Sequence, residues 1–317
     1  MRRAATLVLA TIGLLALFAP VVAPHDPGLA FRDHAHAPPT RIRLVHDGAL
    51  RAPFFYPQRL ADRLMERFEE DRARPISLTW FARGRVVVEP DGAPPFLLAG
   101  GDERGRDVFA RAVYGGRVSL AIGLVSVALA AIFGMVLGGL AGARGGWLDA
   151  VVMRAVDVAA VLPAIYVVVA LRSALPLELP AAVTIAIVTG ILAVVATPWV
   201  ARGVRAIVAA ERASDYVQAA RAAGASPWHI LVHHLLPATR SYVATQAALL
   251  FPAVVIAEAT LSFVGLGVPD TVPSWGTALM EAANVYRLAA FPWILLPAAG
   301  IFAVTWSINA IAAREGA

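Results

Sequence analysis

Apolar runs long enough to cross a bilayer recur along this chain, and one long polar stretch interrupts them near the start. A spanning helix needs roughly 20 predominantly apolar residues. Residues 4–23, 118–143, 155–171, 179–200, 241–261 and 288–313 meet or approach that requirement. The pattern therefore predicts an all-α polytopic membrane protein of about six transmembrane helices. Asp157 opens the third span and is expected at its mouth, while Pro176 and Pro180 mark a short loop before the fourth. Arg2 and Arg3 precede the first run, and Arg202, Arg205, Arg212 and Arg221 follow the fourth, with Arg314 after the sixth. By the bias of arginine toward the cytoplasm, these place both termini and the segment 201–239 inside. The first run is longer than a signal-peptide core and lacks a clear small-residue cleavage site, so it is expected to stay as a helix.

The polar stretch, residues 24–112, follows a different rule. Arg41 to Leu50 reads as a hairpin turning at Asp47-Gly48, and Ile76, Leu78 and Trp80 alternate before a turn at Arg83-Gly84. Leu60, Leu64, Met65 and Phe68 fit one face of a helix, with Arg59/Asp62, Arg63/Glu66 and Arg67/Glu70 as ion pairs. A small α+β extracytoplasmic insertion is expected, either a surface ornament or, over residues 33–95, a platform for another protein. The organisation is thus a first helix (1–23), the insertion with a charged approach to the membrane (24–112), and a core with five more helices (113–317).

Within the core, Gly134, Gly138 and Gly142 recur every four residues, a seam where a second helix comes close. The segment 144–154 is expected as a short turn. The stretch 215–237 carries more punctuation. Asp215 and Gln218 have capping-box spacing, Gly224 suits a helix stop, Ser226-Pro227 suits a second start, and Pro237 is expected to break that helix. Ala219, Ala220, Ala222 and Ala223 leave the first helix narrow enough for another protein to approach its backbone. One ionisable residue, Glu258, falls inside the fifth span, where a charge costs about 2.5–3.5 kcal/mol unless it faces protein or water. It reads either as part of a translocation path or gate or as an anchor for the glycine-rich loop that follows.

Composition narrows the chemistry. The chain is 317 residues long and 59% hydrophobic, with mean hydropathy +0.68, unlike a water-exposed globular domain. It has no cysteine, so disulfides and thiolate chemistry are excluded. Every basic residue is arginine, and without lysine no Walker A phosphate loop can be built. An ATP-driven role would take its ATPase from another chain. The net charge of +5 follows membrane topology, and no basic patch interleaved with aromatics suggests nucleic acid. His25, His34 and His36 read as solvated loop residues. His229, His233 and His234 lack the glutamate of a His-Glu-x-x-His metal site and read as loop packing. A secondary transporter would call for paired intramembrane charges, for which Glu258 and Asp157 are the candidates.

Three stretches resemble one family. Gln218-Ala219-Ala220, Gly224 and Leu236-Pro237 resemble the EAA loop of bacterial ABC importer permeases, with Gln218 where glutamate is usual and His234 where isoleucine is usual. The approach segment from Gly101 resembles the Gly-Thr-Asp-x-x-Gly-Arg-Asp-Val motif of C-type subunits of dipeptide and oligopeptide permeases: Asp102, Gly105, Arg106, Asp107 and Arg117 match, and Gly101 replaces threonine. Residues 258–267, including Glu258 and Ser262, and Pro273-Ser-Trp-Gly276 are similar to the same subunit. The resemblance covers residues 101 to about 310. It implies a type I ABC importer permease fold of the peptide/nickel importer family in the bacterial inner membrane and a non-enzymatic role in carrying di- or oligopeptides or related peptide-like solutes, with nickel chelates and peptide-like antibiotics as alternative cargo. It also implies a second permease subunit, two ABC ATPase subunits that bind ATP and Mg, and an extracytoplasmic solute-binding protein, with no cofactor on this chain. Some peptide permeases with an enlarged first external loop, including ones linked to microcin C uptake, look similar.

Overall fold

A computed structural model describes residues 2–63, 65–174 and 179–312; Leu64, Pro176, Ala313 and Arg314 fall outside them. The chain opens with α1 (Arg2–Leu17) and a short α2 (Ala19–Val22), divided just ahead of Pro20. Seven strands follow: β1 (Arg43–His46), β2 (Ala49–Phe55), β3 (Gln58–Asp62), β4 (Arg67–Glu70), β5 (Ile76–Ser77), β6 (Thr79–Ala82) and β7 (Arg85–Val88). Then come α3 (Val108–Arg144), α4 (Gly146–Val161), α5 (Ala164–Ala174) and α6 (Ala181–Glu211). The loop region holds α7 (Asp215–Ala222), α8 (Pro227–Ile230), a π-helical turn (Leu231–Leu235) and α9 (Leu236–Ala238). The chain continues with α10 (Arg240–Phe263), α11 (Trp275–Leu279), α12 (Val285–Ala290) and α13 (Leu296–Ala312). Among the described residues, four helical stretches are long and apolar enough to cross a membrane: α3, α6, α10 and Pro292–Ala312.

The chain divides into two compact units, one within residues 1–119 and 259–307, the other within 120–258 and 308–317. In the first, β2 pairs antiparallel with both β1 and β5, while β3–β4 and β6–β7 are separate hairpins. The turns fall at Asp47-Gly48 and Arg83-Gly84 as expected, with His46 facing Ala49 and Ala82 facing Arg85. Phe55, Leu78 and Phe96 form a small core, supported by Ile76, Val87 and Leu98.

The expected helix over 60–68 is instead the β3–β4 hairpin. Leu60 faces Phe68 across the ladder and Arg59 faces Glu69, so apolar and charged pairs that suit a helix face also suit cross-strand contacts. Arg59 consequently pairs with Asp71 rather than Asp62. Among the described residues, 23–107 hold strands and one 3-10 turn (Arg32–His34) but no α-helix, so the insertion is β rather than α+β.

In the second unit the glycine seam closes α3 onto α6. A Cβ on Gly134 would come within 2.5 Å of Val200 Cβ, and one on Gly142 within 2.7 Å of the Arg205 carbonyl oxygen. Gly138 lies against the Ala201 carbonyl in the same way. The expected turn at 144–154 is helical, since α4 starts at Gly146; the helix then stops at Leu162, because Pro163 cannot supply the next backbone donor. What reads as one marginal third span is therefore α4 and α5 in succession. Asp157 pairs with Arg202 at 2.9 Å, and Arg205 forks onto Asp149. These contacts place Asp157 at the level of the arginine cluster.

Candidate functional site

The segment 201–239 is rooted by its apolar positions. Val200, Val204 and Val208 on α6 are fully buried, and Val217, Ile230, Leu231 and Leu235 close the same cluster. In α7, Val217 is thus the inward residue, whereas Gln218 and Ala219 are exposed and Ala220 is half-buried. Asp215 and Tyr216 are exposed in its first turn and Arg221 in its last. The helix does not open with the expected capping box: Ser214 occupies the cap position and its hydroxyl turns back to the Glu211 carbonyl at 2.7 Å. Asp215 sits instead in the first turn, where its charge favours the helix N-terminus.

Gly224 takes φ +84° with no atom near the site a Cβ would occupy, so the turn needs glycine for its backbone and not for space. Ser226 then caps α8, accepting from the His229 N–H at 3.2 Å, with Pro227 at the first helical position. Pro237 does not break the helix as expected. Lacking an N–H and crowding the carbonyl four residues back, it goes with a π-helical turn at Leu231–Leu235, and the chain continues through α9. Leu236 and Pro237 are half-buried there, and Leu236 packs on the valine cluster. The imidazoles of His229 and His233 stack at 4.2 Å on the exposed side. Among the described residues no group of three His, Asp or Glu could hold a metal.

A second constellation lies in the first unit. Asp102 accepts the Arg104 and Arg106 backbone N–H groups at 2.9 and 2.8 Å and the Arg106 Nε at 2.6 Å. Gly105, at φ +73°, lets this turn lie against the Phe31 carbonyl. Asp107 is fully buried and caps α3 through the Phe109 and Ala110 N–H groups. Arg117, by contrast, is exposed on α3 and stands apart from this cluster. Sequence reasoning missed the residue that gathers the cluster, Asp270. Its carboxylate accepts from Arg104 at 2.7 Å, Arg106 at 3.1 Å and Arg111 at 2.9 Å. Burial raises the Asp270 pKa, but the three guanidinium groups outweigh it and hold the carboxyl below its ordinary value.

Two histidines expected to be solvated are buried in this unit. His25 bridges Asp107 at 2.8 Å and Glu89 at 3.1 Å, and His36 bridges Glu66 at 2.6 Å and Glu281 while stacking on Phe291. Carboxylates distant in sequence draw each ring inward, which no local pattern signals. His34 is half-buried beside Phe31 and Phe68, and its pKa is lowered chiefly by burial.

Glu258 and Ser262, one helical turn apart on α10, are fully buried. The Ser262 Oγ accepts the Val268 N–H at 3.0 Å, and Gly276 packs against the Ala259 carbonyl. Ser274 and Thr277 form a reciprocal capping box on α11. Trp275 is buried, donating its N–H to Ser119 at 3.1 Å and its indole N–H to the Ala112 carbonyl at 2.9 Å. The Pro273-Ser-Trp-Gly276 sequence thereby ties α11 to the start of α3, a structural role.

Comparison with known proteins gives consistent matches. Residues 134–316 match the family described as binding-protein-dependent transport system inner membrane component. The dipeptide transport system permease protein DppC of Alkalihalophilus pseudofirmus is 36% identical over 213 residues, 67% of each chain. The oligopeptide transport system permease protein OppC of Bacillus subtilis is 34% identical over 208 residues, 65% of each. A Brucella suis chain assigned as a peptide transport system permease protein is 37% identical over 237 residues, covering 73% of this chain and 77% of its own length.

Proposed function

Because this chain belongs to the family of binding-protein-dependent transport system inner membrane components, we propose that it is one permease subunit of an ATP-driven importer of di- or oligopeptides or related peptide-like solutes. Six passes follow if α1 with α2, the broken pair α4 and α5, and α3, α6, α10 and α13 each cross the bilayer of the bacterial inner membrane, with both termini in the cytoplasm. The partners are a second permease subunit, two ABC ATPase subunits that bind ATP and Mg, and an extracytoplasmic solute-binding protein.

The observation that carries this reading is the two-faced geometry of α7. Val217 is rooted in the α6 valine cluster, while Gln218 and Ala219 face outward. An ATPase docked on the outer face would therefore move α6 directly. The segment 201–239 acts as the coupling loop, and Gln218, Ala219, Ala220, Gly224, Leu236 and Pro237 shape it. Glu258 and Ser262 serve either the translocation path or its gate or the anchoring of the glycine-rich loop, a reading supported by the Val268 N–H that Ser262 accepts, and the Asp102–Asp107 motif orients α3. Since the chain has no cysteine, a single Ala219→Cys provides a clean test. It is expected to cross-link to the ATPase subunit with a short thiol reagent and to change yield with ATP. An absence of cross-linking in an active complex would refute the docking assignment.

The insertion supports a further reading as the receptor platform. Leu50 and Phe81, 84% and 83% exposed, project from two of its hairpins. Deletion of residues 33–95 is expected to weaken binding of the solute-binding protein without reducing subunit assembly, and unchanged affinity would oppose it.

A further inference from the structure

The arginines at the base of the second unit fall into two groups. Arg202 pairs with Asp157, Arg205 with Asp149, and Arg212 donates to the Ala143 carbonyl at 3.3 Å. Arg144 and Arg221 are exposed and, among the described residues, have no carboxylate within ion-pair distance. Both line one cavity of ≈ 380 Å³, enclosed by the end of α3 on one side and by residues 225–235 on the other. Its walls are aliphatic, from Leu140, Ala143, Leu231 and Leu235, and no acidic residue lines it. That volume lies in the range of small-molecule sites. Trp228 forms part of the rim and is 66% exposed, and Trp147 stands exposed just beyond the end of α3. Tryptophans so placed favour the headgroup level of a bilayer.

An aliphatic slot at the foot of a spanning helix, lined also by two guanidinium groups with no carboxylate partner among the described residues, matches a molecule with an apolar tail and an anionic head. We propose that this cavity is a binding site for an anionic phospholipid, its phosphate held between Arg144 and Arg221 and its acyl chain against Leu140, Leu231 and Leu235. Arginine suits the task because its planar fork donates two hydrogen bonds to a phosphate and keeps its charge at any working pH. Basic pockets between helices are known physical solutions for such headgroups. A lipid seated there would touch α3 and the segment just past Gly224 together, so its loss would loosen the base on which α7 stands. The site requires only that this end of the molecule lies at the membrane surface, and it is independent of the cargo carried.

The test uses the full chain, purified with whatever subunits accompany it and placed in nanodiscs of phosphatidylcholine with one fifth phosphatidylglycerol. Native mass spectrometry after partial delipidation reads which lipid stays bound. Phosphatidylglycerol is expected to be retained in preference to phosphatidylcholine, and roughly tenfold less of it in the Arg144→Gln/Arg221→Gln double variant, as for loss of charged hydrogen bonds. Both arginines are exposed, so the variant is expected to fold, and an unchanged Tm checks this. Equal phosphatidylglycerol retention by the two proteins would overturn the proposal. Displacement of the lipid by millimolar inorganic phosphate would reassign the site to a free anion. If the variant instead lost associated ATPase subunits in pure phosphatidylcholine, the arginines would belong to a protein interface and the lipid site would be rejected.

Discussion

At the residue scale, Asp270 shows how a single carboxylate organises charges that would otherwise repel. Arg106 and Arg111 are almost wholly buried, and Asp270 and Asp102 are the acids that neutralise them. Removing one partner of a buried ion network leaves charge uncompensated, at a cost of about 3 kcal/mol. Asp270→Asn is therefore expected to lower the Tm of the purified chain by several degrees, whereas no change would mean the arginines are solvated. His25 gives a pH signature of definite sign. Burial alone would lower its pKa, but hydrogen bonds to Asp107 and Glu89 outweigh burial and raise it to about 9. A raised pKa means the contribution is fully present below about pH 6.5, the ordinary histidine value, and is lost as pH rises through about 9. Thermal stability followed from pH 6 to 10 is expected to fall across that window, and His25→Gln is expected to flatten the fall. At Gly224 the backbone alone decides: φ +84° costs a β-branched residue about 1–2 kcal/mol or more. Gly224→Val is expected to abolish uptake while the protein stays in the membrane, and normal uptake would remove the turn from the coupling mechanism.

At the scale of elements, the glycine seam is a direct translation from sequence. A period of four places Gly134, Gly138 and Gly142 on one stripe of α3, and α6 comes so close that the Val200 side chain and the Ala201 and Arg205 carbonyls fill the Cβ positions. Gly138→Leu is expected to separate the two helices and sharply reduce the amount of folded chain in membranes; a normal level would contradict the packing. Turns that rest on local chemistry were legible too, at Asp47-Gly48, Arg83-Gly84, Gly224 and Ser226-Pro227. The β3–β4 segment was not, since apolar residues at 60 and 68 satisfy a helical period and a cross-strand pair equally, and tertiary pairing decides. Proline was read too simply. Pro237 accompanies a π-turn and Pro252 sits within α10, whereas Pro163 does end a helix. In an apolar setting, neighbouring backbone and side chains can re-satisfy the groups a proline frees.

At the scale of the whole molecule, hydropathy predicts six spans, whereas among the described residues four helical stretches are long and apolar enough to cross a membrane. It could not find the charge networks, because Arg111 and Asp270 stand 159 residues apart and His36 and Glu281 245 apart. Such pairs exist only once the chain is folded. The segment 201–239 lay between these extremes: its Gly224 and Ser226-Pro227 punctuation was readable, but which face of α7 is rooted depends on Val217 meeting the α6 valines. In the proposed transporter, the outer face of α7 works on an ATPase supplied by another chain. Purifying the tagged chain gently from membranes of its own cell, and identifying what stays bound, tests it most directly. Two P-loop ATPase subunits and a second permease subunit are expected in the complex. Recovery of an active transporter made of this chain alone, or of its self-oligomers, would contradict it.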